Sequence, residues 1–253
     1  MLEQILPAEL FAVLLVFVRV GTALMLLPGF AEPFVSPRLR LLLALTIALL
    51  VAPVIADKLP KMPESAAMLG LLILGEILVG AFLGTIARMF IAALTTTGMV
   101  IAYMSAMANA LVNDPSAAQQ GSLAGSFLTV TAVLLIFTLN LHHMMLMAVV
   151  DSYDLFKPGQ VPPIGDFADM VTHVVAKTFL LSFQLAAPFI GVGLIFFLGL
   201  GLLGRLMPQM QVFFVAMPIQ IAAGMVVLAI ALPAMLHWFI GGFEETLLPF
   251  VAP

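Results

Sequence analysis

Three ionisable side chains stand inside apolar runs of this sequence: Arg19, Glu76 and Arg88. A charge at bilayer depth costs at least ~2.5–3.5 kcal/mol unless it is paired or hydrated, so each needs a reason to be there. One reading is a proton or ion pathway lined by these groups. The other is an interhelical ion pair, for example Arg19 with Glu76, that fixes helix register. A single acid gives a proton relay little to work with, which favours the structural reading. Glu76 and Arg88 would lie about 18 Å apart along one straight helix, so those two cannot pair directly.

The remaining chemistry-bearing residues are sparse. His142-His143 is an adjacent pair whose side chains would point about 100° apart on a helix, unlike the i, i+4 arrangement that chelates a metal. His173 and His237 are isolated. Serine-nucleophile, phosphate-loop and zinc-site patterns are absent, so neither a catalytic residue, a metal site nor a cofactor is expected. The 17 methionines are a different matter. Met104 and Met107 lie in a stretch of small, flexible and polar residues with Asn109, and Asn113-Asp114-Pro115 and Gln119-Gln120 follow. Flexible thioethers can close around variable contents. Polar, non-helical backbone inside an apolar protein is tolerated where it is buried in protein or lines a watery cavity. Those eight residues therefore read as a loop in a pore, with plain helix packing as the alternative for the methionines.

The elements that must position these groups follow from composition. The 253 residues are 63% hydrophobic and 9% charged, with net charge −4 and no cysteine. Soluble domains are roughly 45–50% apolar and about 25% charged. A chain this apolar cannot cover its own surface with polar groups, which excludes an ordinary soluble enzyme and a disordered linker. No basic field exists to attract nucleic acid. The expected class is all-α and polytopic in a membrane. Met1-Leu2-Glu3-Gln4 lacks the basic start of a cleaved signal, so the first apolar run is expected to be a retained helix. Apolar segments fall at about 10–27, 41–56, 66–112, 123–150, 178–203 and 212–240.

Several details complicate six simple spans. The run from Ala66 to Val112 would extend about 70 Å as one helix, so it is two helices or one reaching beyond the bilayer. Pro188, Pro218 and Pro233 lie inside the last two runs and predict kinks. Phe30 to Arg40 reads as a short polar connection, and the segment Asp151 to Lys177 as a long one with a short amphipathic helix near its end. Arg38, Arg40 and Arg205 on one side nearly balance Lys58, Lys61, Lys157 and Lys177 on the other, so positive charge does not choose an orientation.

Four blocks, in order, resemble the FliR family of flagellar type III export-gate membrane proteins, related to the T subunit of virulence secretion systems. They are Arg19-Val20-Gly21 running into Leu26-Leu27-Pro28-Gly29-Phe30-Ala31-Glu32-Pro33-Phe34-Val35, then Gly75-Glu76-Ile77-Leu78-Val79-Gly80, then Asn113-Asp114-Pro115, and last Leu200 through Phe213. Each block is weak alone; the ordered set covers essentially the whole chain. Phe197 and Gln211 depart from asparagines that many relatives carry there. The resemblance implies one integral membrane domain over residues 1–253, built of long, kinked helical hairpins. It further implies a subunit of a helical export gate, assembled with FliP-like and FliQ-like membrane proteins and working beside FlhB-like and FlhA-like export components. Unfolded flagellar proteins would be its cargo and the inner-membrane basal body its location. Ala106 through Gln120 corresponds to the family's pore-plugging loop. Such a subunit would be non-enzymatic, with energy supplied from outside the chain. The alternative from a different class is a stand-alone proton- or ion-coupled small-molecule transporter with Glu76 as carrier. It predicts internal repeats and a midplane site, and the sequence displays neither.

Overall fold

A computed structural model describes residues 2–63, 65–107, 122–160, 162–207 and 212–251. Every regular element among them is helical. In chain order they are α1 (Leu2–Leu24), α2 (Pro37–Val51), a 3-10 turn (Ala56–Lys58), α3 (Ala66–Met104), α4 (Leu123–Thr138), α5 (Leu141–Leu155), α6 (Ile164–Leu206), α7 (Val212–Leu247) and a last 3-10 turn (Leu248–Phe250).

Among the described residues three helical segments, Ala66–Met104, Ile164–Leu206 and Phe214–Phe250, are long and apolar enough to cross a membrane, and α4 with α5 makes a fourth if that bent pair is one span. At ~1.5 Å per residue, the 39 residues of α3 exceed the ~30 Å hydrocarbon core, as do the 43 of α6. The first part of the long central run is thus one helix to Met104. The polar stretch Phe167 to Lys177 is the opening of α6 and not a separate helix. Helix α6 runs through Pro188, and α7 through Pro218 and Pro233.

Local chemistry sets the ends. The Ser36 hydroxyl accepts from the Leu39 amide at 3.3 Å, and Pro37 takes the first helical position, so α2 starts before Arg38 and Arg40. The Arg40 guanidinium then donates to the carbonyls of Phe30 (2.9 Å), Glu32 (3.2 Å) and Val35 (3.3 Å), tying down the turn ahead of α2. The apolar run from Leu123 onward is divided by Asn140, whose φ of 59° is left-handed, and α5 leaves α4 at 74°. A short polar residue tolerates that backbone better than its apolar neighbours would.

The chain forms two compact units. The first comprises Met1–Met89, Leu135–Val174 and Phe243–Pro253; the second comprises Phe90–Leu134 and Val175–Gly242. In the first, Leu15, Val16, Ala23, Leu27, Val79 and Ile86 are buried at the core. Phe82 stacks on Phe167 at 3.9 Å and meets Phe156 and Phe250 edge-on. In the second, Leu94, Ile101, Leu128 and Leu185 are buried, and Phe90 meets Phe239 edge-on. Large apolar side chains such as Ile195, Leu198 and Leu202 of α6 and Ile230 of α7 remain uncovered. A polytopic helical membrane protein leaves such faces to lipid or neighbouring chains.

Candidate functional site

The first unit holds a buried polar node in which three helices meet. Arg19 of α1 is 1% exposed and Glu76 of α3 is 2% exposed. Arg19 Nε donates to Glu76 Oε2 at 2.6 Å and Nη2 donates to Oε1 at 3.1 Å, a two-pronged fork matched to the carboxylate. The other guanidinium donors reach the end of α5. Nη1 donates to the Ser152 hydroxyl at 3.0 Å, and Nη2 to the Phe156 carbonyl at 2.9 Å. The Tyr153 ring lies 3.7 Å from Arg19 Cζ, and so covers the cation's face. The Ser152 hydroxyl itself donates to the Val149 carbonyl at 2.6 Å.

Close helix packing makes this geometry attainable. A side chain at Gly80 would run into the Arg19 carbonyl and Thr22, and one at Gly84 would meet Leu26 and the Ala23 carbonyl. Gly80 and Gly84 thus form a small-xxx-small pair that lets the α1 and α3 backbones touch. Phe156, whose carbonyl serves Arg19, also packs its ring edge-on against Phe82 and Phe167, which holds that carbonyl in place. Three guanidinium nitrogens and both carboxylate oxygens are thus hydrogen-bonded within the fold, the condition under which a buried ion pair is tolerated.

Arg88 does not join the node; it stands exposed on α3. His142 and His143 lie 4.1 Å apart between ring centres, with His142 stacked at 4.9 Å on Phe137. Among the described residues no group of three or more His, Cys, Asp or Glu is placed to hold a metal.

The second unit fixes the C-terminal end of α3. Gln220 of α7 donates to the Met104 carbonyl at 2.7 Å, and Ser105 donates to the Ile101 carbonyl at 2.5 Å. Gly224 abuts Ser105 too closely for a side chain, and Gly193 packs tightly against Met104. Ala106 then takes a left-handed φ of 57°, where the helical path ends. Higher on α3, Thr97 reaches the Ser182 carbonyl at 3.3 Å, and Ser182 donates to the Ala93 carbonyl at 3.0 Å. Met104 and Met107 are thus located, each half-buried, at this anchored end. Asn109, Asn113, Asp114, Pro115, Gln119 and Gln120 lie outside the described residues.

Sequence reasoning singled out Arg19 and Glu76 but missed Ser152, Tyr153, Phe156 and Gln220. The spacing of Gly80 and Gly84 was the available signal for where α3 meets another helix. Serine and tyrosine near the end of an apolar run carry no comparable mark.

The fold and this node define an integral membrane protein of long apolar helices fastened by buried polar contacts. A family model described as bacterial export proteins, family 1, matches residues 10–246. The chain is 34% identical to the flagellar biosynthetic protein FliR of Caulobacter vibrioides, over 94% of this chain and 95% of that one. It is 32% identical to FliR of Bacillus subtilis over 87% and 86%. It is 27% identical to the Yop proteins translocation protein T of Yersinia pestis over 91% and 89%. The chain belongs to the bacterial export proteins, family 1. It is a membrane subunit of the flagellar export apparatus.

Proposed function

We propose that the chain is a non-enzymatic structural and gating subunit of the flagellar protein export channel in the bacterial inner membrane, at the base of the flagellum. It packs with FliP-like and FliQ-like membrane subunits, works beside FlhB-like and FlhA-like components, and passes unfolded flagellar proteins. The observation that carries this reading is similarity to FliR proteins over nearly the full length of both chains. The uncovered apolar helix faces support it, since they suit neighbouring subunits as well as lipid. The segment from Ala106 to Gln120 serves as the pore plug in this reading. It leaves an end of α3 held by Gln220, Gly193 and Gly224. The Arg19–Glu76 node acts as a lock between α1, α3 and α5 and not as a proton path, because the guanidinium and both carboxylate oxygens are already engaged with one another. The stand-alone transporter has no support in these similarities.

The test is complementation. In a strain lacking its own copy of this gene, the chain restores swimming and secretion of hook and filament proteins, and an affinity tag on it retrieves two smaller membrane proteins. Retrieval of the chain alone, with secretion restored by an unassembled monomer, would refute the reading.

A further inference from the structure

Helix α3 ends where its own sequence gives no reason to end. From Met104 to Asp114 the chain contains neither glycine nor proline, and Ala106-Met107-Ala108 are strong helix formers. Yet the helix stops at Met104, and Ala106 turns left-handed with a φ of 57°. That conformation commonly follows a helix, but glycine is its usual occupant. An alanine there brings its Cβ too close to the following carbonyl.

Tertiary contacts within the second unit impose the stop. In a continuing helix the Met104 carbonyl would accept from the amide four residues on. Gln220 takes that carbonyl instead, donating through Nε2 at 2.7 Å. Gln220 is buried, and it is the one polar side chain between Val212 and Leu236. Gly224, one turn further along α7, seats the Ser105 side chain, and Gly193 of α6 packs tightly against Met104. Pro218, just before Gln220, leaves α7 short of one internal hydrogen bond, so α7 yields most readily beside this contact. The strain of one left-handed alanine and the gain from one hydrogen bond are similar in size and opposite in sign. A helix former held out of its helix by so even a balance has the makings of a two-state element.

We propose that the end of α3 is a conformational switch. In one state Gln220 holds the Met104 carbonyl and Ala106 is left-handed. In the other that bond is released, Ala106 returns to the right-handed region, and α3 continues through Met107. The Ser105 amide keeps its 2.9 Å bond to the Ile101 carbonyl in both, so the change is confined to one residue and re-aims the chain beyond it. Its use in moving a pore plug rests on the function proposed above; the two-state helix end does not.

The test uses the assembled, purified complex. The chain has no cysteine, so spin labels on Ala110→Cys and Leu198→Cys report one distance when the other subunits are also made without cysteine. Pulsed electron resonance is expected to resolve two distance populations. Ala106→Gly removes the strain and enriches the first roughly fivefold. Ala106→Val, which a left-handed turn resists, and Gln220→Leu each enrich the second by about tenfold. Adding Ala106→Gly to Gln220→Leu returns the ratio most of the way to wild type, a rescue that mere loss of packing at Gln220 does not give. The same distance distribution in Ala106→Gly and Ala106→Val overturns the switch, as does a shift by Gln220→Leu in the direction of Ala106→Gly. If Gln220→Leu fails to assemble, the two Ala106 variants decide: opposite shifts uphold the switch and identical distributions refute it. Distances are read independently of secretion, so either result leaves the export role to its own test.

Discussion

At the scale of single residues, Arg19 carries the most consequence. Its guanidinium is shared among Glu76, Ser152 and the Phe156 carbonyl, so no single partner accounts for its placement. Removing one member of a buried pair leaves the other charge without compensation, at about 3–5 kcal/mol. Arg19→Met or Glu76→Leu alone is therefore expected to reduce the amount of chain in the membrane severely and to lower the melting temperature of the purified complex. The double variant Arg19→Met with Glu76→Leu removes both charges at similar volume, and recovers most of both quantities. A lock predicts that secretion returns with stability in the double variant. Stable protein without secretion would restore the pathway reading of Glu76. Arg19→Lys lacks the fork that meets the carboxylate with two bonds and is expected to fall between. The importance of Arg19 and Glu76 was legible in sequence, since charge inside an apolar run demands an explanation. The partners at Ser152, Tyr153 and Phe156 were not legible, because the crossing of α5 over α1 selects them.

At the scale of helices, glycine decides how closely backbones approach. Gly80 faces the Arg19 carbonyl, while Gly98 faces the Gly125 backbone, so even a methyl group there must push main chain aside. Overpacking of this kind costs about 1–3 kcal/mol. Gly80→Ala and Gly98→Ala are expected to lower thermal stability in detergent, while Gly201→Ala, which meets open space, leaves it unchanged or raises it. Equal melting of all three variants would show that the close contacts do not limit stability. The bend between α4 and α5 obeys a different rule. Asn140→Gly keeps the left-handed turn and is tolerated, whereas Asn140→Val forces a β-branched residue into it, at about 1–3 kcal/mol. Circular dichroism during a thermal ramp separates the two. Hydropathy could not find this bend, since apolar residues continue on both sides of it and the run from Leu123 to Val150 holds no proline. The start of α2 was readable from Ser36-Pro37 by capping rules, but the following arginines made that segment look like a polar connection.

At the scale of the molecule, apolar composition identifies a membrane protein without saying how many times it crosses. Six runs are visible in the sequence, whereas among the described residues three segments qualify as spans by length and composition, or four with the bent pair. Part of the difference lies in the shorter helices: α2 has 15 residues, and α4 and α5 have 16 and 15 on either side of a 74° bend, whereas α3, α6 and α7 are each longer than a bilayer requires. Such helices suit an assembly in which neighbouring proteins replace lipid over part of the surface. In that setting a plug must start from a fixed point if it is to close a channel reproducibly. The end of α3 offers one, with the Met104 carbonyl held by Gln220 and the backbone seated against Gly193 and Gly224. Replacing residues 108–120 with a Gly-Ser segment of equal length keeps the chain connected and removes the asparagine, glutamine and proline character of the loop. The expected outcome in cells is ion leakage through the assembled gate, seen as a fall in membrane potential and slowed growth, without loss of assembly. Gln220→Ala leaves the loop intact in sequence but strips the Met104 carbonyl of its partner, at about 1–3 kcal/mol, and is expected to leak to a smaller degree. A replaced loop that assembles and stays as ion-tight as the wild type would remove the plug from this segment and leave the seal to be sought elsewhere in the complex.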